Sequence, residues 1–159
     1  MKAAVLTVSD GVSRGEREDL SGDTLEELLR ADDFDVVRRV VPDEREEIWG
    51  AICELAADAQ LVLTTGGTGL AQRDVTPEAT LGAIEREAPG IAEAIRADAL
   101  ARTAHALLSR GVAGTIGATL VVNLPGSPGG CRDGHAVLRA ALPHALQLLA
   151  GEATAHRQT

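Results

Sequence analysis

The stretch of the sequence best suited to bind an anion is TTGGTGLAQRDVTP, residues 64–77. Glycines that follow an apolar run let backbone N–H groups converge on an anion, and threonine hydroxyls add further donors. Arg73 supplies a charge that suits phosphate, and Asp74 supplies a carboxylate that suits Mg²⁺. The same composition also fits a tight turn in which both charges are solvated. The candidate binding residues in this stretch are Thr65, Gly66, Gly67, Thr68 and Gly69.

Two common nucleotide-binding motifs do not fit this glycine-rich stretch. A Walker A loop requires a lysine after its last glycine, and the only lysine of the chain is Lys2. The dinucleotide fingerprint GxGxxG requires a glycine where Gln72 stands, and it normally follows the first strand of the fold. The sequence therefore disfavours both a P-loop and a dinucleotide site.

A second candidate loop, NLPGSPGG, spans residues 123–130. If Ser127 caps a helix that begins at Pro128, an anion could bind at the positive end of that helix. A rigid turn with an ordinary serine cap explains the same residues. The loop is not a nucleophile elbow, because Pro125 occupies the position of the first glycine of GxSxG.

Three aspartates follow predicted strands: Asp10, Asp43 and Asp74. Carboxylates beside a phosphate cradle make chemical sense if they share a hydrated Mg²⁺, since the acidic groups and phosphate would otherwise repel one another. Asp43 also has a structural interpretation. Together with Glu46 it has the spacing of a capping box at the start of a helix.

The elements that must position these loops alternate between apolar runs and amphipathic patterns. The pattern predicts an α/β fold with a mostly parallel sheet, in which ligands bind beyond the carboxyl ends of the strands. A loop is expected over residues 9–19, and a turn-rich stretch is expected over residues 111–117. Ser21, Asp23 or Thr24 could cap the first helix. Strands are expected at Lys2–Val8, Phe34–Val41, Leu61–Thr65 and Leu120–Leu124. Helices are expected at Leu20–Arg30, Asp43–Ala59, about 91–108 and about 133–149. A further helix is expected to begin with Thr76 as its N-cap and Pro77 as its first residue.

The composition bounds the remaining possibilities. A length of 159 residues fits a single domain over residues 1–159. A net charge of −9 with 1% aromatic residues argues against nucleic-acid binding. No apolar run is long enough to span a membrane, and the N-terminus lacks a signal-peptide pattern, so we expect a cytoplasmic protein. The four histidines, His156 among them, form no metal-binding cluster and are expected at surface or helix positions.

Four pieces of the chain together resemble a known family, the molybdopterin adenylyltransferases of the MogA and MoaB type, which are related to the G domain of gephyrin. These pieces are VSDG with a later SG (residues 8–11 and 21–22), VPDE (41–44), TTGGTGxxxRDVTPEA (64–79) and NLPGSP (123–128). They occur in the family's order and span nearly the whole chain. Leu70 stands where many MogA-type members have proline, and the short segment after Pro128 is more similar to the MoaB type.

The resemblance implies a three-layer α/β/α fold, a homotrimer, and Mg²⁺-dependent transfer of AMP from ATP to molybdopterin with release of pyrophosphate. By position it makes Asp43 and Asp74 the catalytic and metal-holding residues. Gly66, Gly67, Thr68 and Gly69, which we call the glycine loop, would hold pterin and phosphate. The other pocket residues would be Ser9, Asp10, Asn123, Pro125, Gly126 and Ser127.

Two further functions stay open from the sequence. The first is a non-catalytic MoaB-type protein that binds molybdopterin and hands it on, for which the glycine-rich loops would look the same. The second is a nucleotide-dependent oxidoreductase. Binding of Mg-ATP would favour the transferase, and retention of NAD(P) would favour the oxidoreductase.

Overall fold

The structure, a computed structural model, describes residues 1–151, so His156 lies outside the described residues. A six-stranded sheet has the strand order β2-β1-β3-β6-β5-β4. Pairing is parallel between β1, β2, β3 and β6 and antiparallel at β5. The strands are β1 Lys2–Val8, β2 Asp35–Val41, β3 Leu61–Thr65, β4 Arg86–Glu87, β5 Ala113–Ile116 and β6 Thr119–Leu124.

Helices cover both faces of the sheet and give three layers. Side chains alternate along β1, so that Ala3 and Val5 join one buried cluster while Ala4 and Leu6 join the other. A strand that is buried on both faces needs a continuous apolar run, and for this reason the sequence predicts β1 and β3 correctly. The helices are α1 Asp10–Ser13, α2 Leu20–Ala31, α3 Arg45–Ala56, α4 Thr76–Ala83, α5 Pro89–Leu100, a 3₁₀ helix Ala104–Leu108, α6 Pro128–Arg139 and α7 Leu142–Leu149.

The predicted α/β class with a mostly parallel sheet is confirmed, and the strand order locates its switch point. From β1 the chain goes to β2 on one side, and it then returns to β3 on the other side of β1. The loops after β1 and β3 therefore diverge and leave a crevice at the carboxyl edge of the sheet. No helix within residues 1–151 is long and apolar enough to cross a bilayer.

Three predicted helix caps are wrong. The N-cap of α3 is Glu44 and not Asp43, and it makes no side-chain cap bond. The N-cap of α4 is Val75, because the hydroxyl of Thr76 instead donates to the carbonyl oxygen of Gly66 at 3.0 Å. Asp19 caps α2 by accepting the N–H of Gly22 at 3.0 Å, so none of the three predicted residues does.

Two predicted helices are each divided. The pattern over 91–108 is α5 followed by a 3₁₀ helix that Thr103 caps. The pattern over 133–149 is α6, which begins at Pro128, and α7, which begins beside Pro143. A proline cannot continue a helix from the preceding turn, so the chain must break before it. The turn-rich stretch over 111–117 contains β5, which pairs with β6 through a turn at Gly117, and the loop over 9–19 contains α1.

Candidate functional site

A cleft of about 380 Å³ lies at the switch point, and we call it the aspartate cleft. Its walls come from the ends of β1 and β3 and from the start of α2. Several of the predicted site residues line it: Ser9, Asp43, Thr65, Gly66, Gly67, Asp74 and Gly126. Asp43 and Asp74, which are distant in the sequence, are thus brought to one cleft.

The glycines of this loop lie so close to neighbouring atoms that a side chain at these positions would collide with them. Gly66 has φ +96°, and a Cβ on it would lie 2.3 Å from the carbonyl oxygen of Val8. A Cβ on Gly67 would lie 3.2 Å from Oδ1 of Asp43, and one on Gly69 would lie 2.9 Å from Oδ2 of Asp74. The two carboxylates therefore rest directly against the backbone of the glycine loop.

Asp43 is held by a reciprocal pair of hydrogen bonds with Asp10. The N–H of Asp10 donates to Oδ2 of Asp43 at 2.9 Å, and the N–H of Asp43 donates to Oδ1 of Asp10 at 3.0 Å. Burial raises the pKa of Asp43, the N–H of Asp10 opposes this, and the charges of Asp10 and Asp74 raise it further. The Asp43 carboxylate thus sits among like charges in a partly desolvated position.

Arg73 forms its ion pairs with Asp10 and Glu44, and its charge also lowers the pKa of Asp43. Its Nε donates to Oδ2 of Asp10 at 2.6 Å, and its Nη2 donates to Oδ1 of Asp10 at 3.0 Å and to Glu44 at 2.9 Å. The Arg73 guanidinium, together with the N–H of Asp43, lowers the pKa of Asp10 to about 2. Asp10 is not among the residues that line the cleft, so its visible contribution is to hold Asp43.

Asp74 is fixed by its own loop. Its Oδ2 accepts the N–H of Ala71 at 3.0 Å, and its N–H donates to the carbonyl oxygen of Ala71 at 2.9 Å. Within residues 1–151, neither Asp43 nor Asp74 forms an ion pair with a lysine, arginine or histidine. Both carboxylates therefore retain oxygen atoms for another partner.

The second loop packs against the first. A Cβ on Gly126 would lie 3.3 Å from Cα of Gly66, and the Thr65 hydroxyl donates to the carbonyl oxygen of Pro125 at 2.7 Å. Ser127 accepts the N–H of Gly130 at 3.0 Å and is the N-cap of α6, with Pro128 next. The predicted serine cap is confirmed.

Beyond these two loops lies a second cleft of about 350 Å³, which we call the helix cleft. α5, the 3₁₀ helix and α6 form most of its walls, and Thr68, Gly69, Pro125 and Ser127 complete them. The glycine loop and the 123–130 loop thus border both clefts.

Asn123 does not reach either cleft. It is buried, and its Nδ2 donates to the hydroxyls of Thr64 and Thr80, both at 2.9 Å. Its Oδ1 accepts the N–H of Val112 at 3.2 Å. The side chain that the resemblance placed in the pocket instead joins β3, α4 and the segment before β5.

Two residues near the site were missed by the sequence analysis. Asp19 lines the aspartate cleft, where it accepts the Thr7 hydroxyl at 2.7 Å and pairs with Arg38 at 2.5 Å. Its position directly before Leu20 is an N-cap signal that could have found it. Arg110 donates to the glycine loop at several points, and no local pattern in the sequence indicates this.

The donor set fits Mg²⁺ bound together with a phosphate ligand. Within residues 1–151, no group of three or more His, Cys, Asp or Glu side chains is placed to hold a metal. Mg²⁺ is commonly bound by one or two carboxylates plus substrate phosphates, and it prefers oxygen ligands. Asp43 and Asp74 supply two such carboxylates at one cleft, beside backbone N–H groups that suit phosphate.

Residues 4–144 match a protein family described as a probable molybdopterin binding domain. Molybdopterin adenylyltransferase of Escherichia coli is 37% identical over 168 aligned residues, which cover 95% of this chain and 86% of that protein. Molybdenum cofactor synthesis protein cinnamon of Drosophila melanogaster is also 37% identical, and this chain spans 26% of its length. The crystal structure of the molybdopterin biosynthesis enzyme MoaB of Thermus thermophilus has a TM-score of 0.88 and 46% identity, over 94% of this chain and 96% of that one.

Proposed function

The chain belongs to the molybdopterin adenylyltransferase family, a group of molybdopterin-binding enzymes of molybdenum cofactor biosynthesis, and we propose that it transfers AMP from ATP to molybdopterin in a Mg²⁺-dependent reaction. One observation of the site carries the proposal. Asp43 and Asp74 come from different loops and line a single cleft beside a glycine loop. That combination suits a phosphate substrate accompanied by a divalent cation.

In the proposed reaction a phosphate oxygen of molybdopterin attacks the α-phosphorus of ATP in line. The new O–P bond forms as the bond from the α-phosphorus to the bridging oxygen breaks, and pyrophosphate leaves with that electron pair. No side-chain nucleophile is needed, so the protein contributes position and electrostatic stabilisation. Backbone N–H groups of the glycine loop would bind phosphate oxygens and hold them in line.

Asp43 and Asp74 are the proposed holders of Mg²⁺. When bound there, the ion would offset charge on the reacting phosphates. Asp10 serves this site indirectly, because its N–H fixes one oxygen of Asp43 at 2.9 Å. Arg73 pairs with Asp10 and Glu44 rather than with Asp43 or Asp74, although its charge still lowers the pKa of Asp43.

We further propose that the two clefts hold the two reactants. Each has a volume of a few hundred cubic ångströms, and the glycine loop and the 123–130 loop border both. The two loops would then contact both reactants. Thr65, Gly67, Thr68 and Ser127 are the proposed contacts on either side.

From the family resemblance we also propose that residues 1–159 act as one domain, that three copies form a homotrimer, and that the protein works in the cytoplasm, where ATP is supplied. Sedimentation equilibrium tests the assembly. A mass of three chains is expected, and a monomer at micromolar concentration would contradict it.

The reaction is tested by measuring pyrophosphate release from ATP at fixed Mg²⁺, with and without molybdopterin. Release that requires molybdopterin is expected of the wild-type protein. Asp74→Asn should still bind molybdopterin, because asparagine can still accept the Ala71 N–H, but its kcat should fall by about a hundredfold or more, since a lost metal-holding charge costs several kcal/mol of barrier. Asp35→Asn, an exposed aspartate at the opposite end of β2, is the matched control.

Three other outcomes would contradict parts of the proposal. Wild-type turnover in Asp74→Asn would refute the role of this residue. Calorimetric binding of molybdopterin without any binding of Mg-ATP would identify a non-catalytic carrier. Retention of NAD(P) through purification would favour the oxidoreductase hypothesis.

A further inference from the structure

Arg110 contacts both ends of the segment 68–74, which begins in the glycine loop and ends at Asp74. It lies between the 3₁₀ helix and β5, and 34% of its side chain is exposed. Its backbone N–H donates to the carbonyl oxygen of Thr68 at 2.8 Å, and its Nε donates to that of Gly69 at 2.8 Å. Its Nη2 donates to the carbonyl oxygen of Asp74 at 2.7 Å, and its Nη1 pairs with Glu78. One residue thus holds both ends of the segment 68–74.

Apart from Arg110, the side chain of Arg73 also ties this segment to the scaffold, through Asp10 and Glu44, but it does so from an exposed residue. Leu70, Ala71, Gln72 and Arg73 are exposed, and the side chain of Leu70 packs so little that 65% of the residue is accessible. The hydrogen bonds between Ala71 and Asp74 are internal to the loop, so they fix its shape but not its place on the sheet. A segment with few buried apolar contacts opens easily unless hydrogen bonds to the scaffold restrain it.

We propose that Arg110 is a positioning residue that sets the place of Asp74 at the cleft by holding residues 68–74 against the scaffold. The inference rests on the proposed function, because it gives Arg110 its role through a carboxylate of the proposed site. A planar guanidinium can direct separate N–H groups at Gly69, Asp74 and Glu78 at once, whereas the single ammonium of a lysine cannot. The position is therefore expected to require arginine.

A purely stabilising ion pair between Arg110 and Glu78 is the competing explanation. Glu78→Gln distinguishes the two, because it removes the charge of the pair and leaves the three hydrogen bonds to the loop in place. Arg39→Ala is the matched control for loss of a half-exposed arginine. Arg39 has 40% of its side chain exposed and pairs with Glu54 on α3.

The first measurement does not depend on activity. Hydrogen exchange of the segment 68–76, followed by mass spectrometry, should be about tenfold faster in Arg110→Ala than in the wild type, since the loop then opens without global unfolding. Arg39→Ala and Glu78→Gln should exchange at the wild-type rate in this segment. If Arg110→Ala does not fold, Arg110→Lys keeps the pairing with Glu78 and serves the same test. Unchanged exchange in the folded variant would overturn the proposal.

The second measurement is steady-state pyrophosphate release. Arg110→Ala should lose at least about tenfold in kcat, with KM for molybdopterin within about threefold of wild type, because misplacing Asp74 affects the chemical step. Arg110→Lys should not restore kcat, whereas millimolar guanidinium should restore part of it in Arg110→Ala. Wild-type kcat in Arg110→Ala, or full restoration by lysine, would overturn the proposal. A wild-type protein that releases no pyrophosphate would instead refute the proposed reaction, and the exchange data would then decide whether Arg110 fixes the loop.

Discussion

Substituting Gly66 by alanine should destabilise the protein strongly, for two separable reasons. Its φ of +96° is strained for any residue with a Cβ. In addition, the new Cβ would lie 2.3 Å from the carbonyl oxygen of Val8. That oxygen belongs to the backbone of β1, which is paired on both sides, so it cannot move away as a flexible side chain would.

The expected magnitude follows from the two parts. A positive φ costs a non-glycine residue about 1–2 kcal/mol, and forcing an extra carbon into a packed site costs about 1–3 kcal/mol. Gly66→Ala should therefore lose about 2–5 kcal/mol of unfolding free energy, which for a chain of this size lowers Tm by roughly 4–20 °C.

Substitutions at two other glycines distinguish the cost of the positive φ from the cost of the contact with Val8. Gly15 has φ +73°, and no atom of residues 1–151 outside its chain neighbours lies within 4 Å of the place that a Cβ would occupy, so Gly15→Ala should show only the backbone strain of about 1–2 kcal/mol. Gly90 in α5 has open space and no positive φ, so Gly90→Ala should gain up to about 1 kcal/mol from helix propensity.

Urea denaturation followed by far-UV circular dichroism, at one protein concentration for all variants, measures these free energies. The difference between Gly66→Ala and Gly15→Ala gives the cost of the contact with Val8. If Gly66→Ala loses no more than Gly15→Ala, the close approach of the glycine loop to β1 is refuted.

Two further predictions test residues beside the cleft. Asn123→Ala should lose about 2–4 kcal/mol of unfolding free energy in urea, because the Thr64 and Thr80 hydroxyls lose a buried partner, while KM for molybdopterin stays within about twofold. The pKa of Asp10 is about 2 in the folded protein and about 3.9 in the unfolded chain. The charged form of Asp10 therefore stabilises the fold above pH ~4, and this stabilisation is lost as the pH falls towards about 2. The Tm difference between wild type and Asp10→Asn, measured by calorimetry across this range, should therefore close as the pH falls, and a constant difference would contradict the ion pair with Arg73.

The fold class could be predicted because its signals are local. β1 and β3 are apolar runs because both of their faces are buried. Ser127 and the proline that follows are a cap signal for α6, but the glycines after them placed the predicted start at about residue 133 instead of Pro128. The cap at Asp43 failed because its carboxylate has a competing partner. Oδ2 of Asp43 accepts the N–H of Asp10, 33 residues earlier, and α3 begins only at Arg45, with Glu44 as its N-cap.

The division of the later helices also depends on tertiary structure. α5 ends at Leu100, and the next residues instead form a 3₁₀ helix that closes one side of the helix cleft. The spacing of apolar residues does not predict where α5 ends and the 3₁₀ helix begins, since both helices place apolar residues at similar intervals. β4 has only two residues, Arg86 and Glu87, both exposed, so it carries no strand pattern of its own.

The topology alone predicts that Asp43 and Asp74 lie close together, but it does not predict which arginine pairs with which carboxylate. Any doubly wound sheet brings the ends of its central strands to one edge, so residues after β1, β2 and β3 must be neighbours there. Which arginine meets which carboxylate depends on contacts across 63 residues, and Arg73 is bound to Asp10 and not to the cleft. That pairing has a chemical consequence. With Arg73 held by Asp10 and Glu44, Arg17 is an arginine that lines the cleft beside the two carboxylates. Its single charge does not balance two carboxylates and a phosphate ligand, so a divalent cation that accompanies the ligand would offset the remaining repulsion.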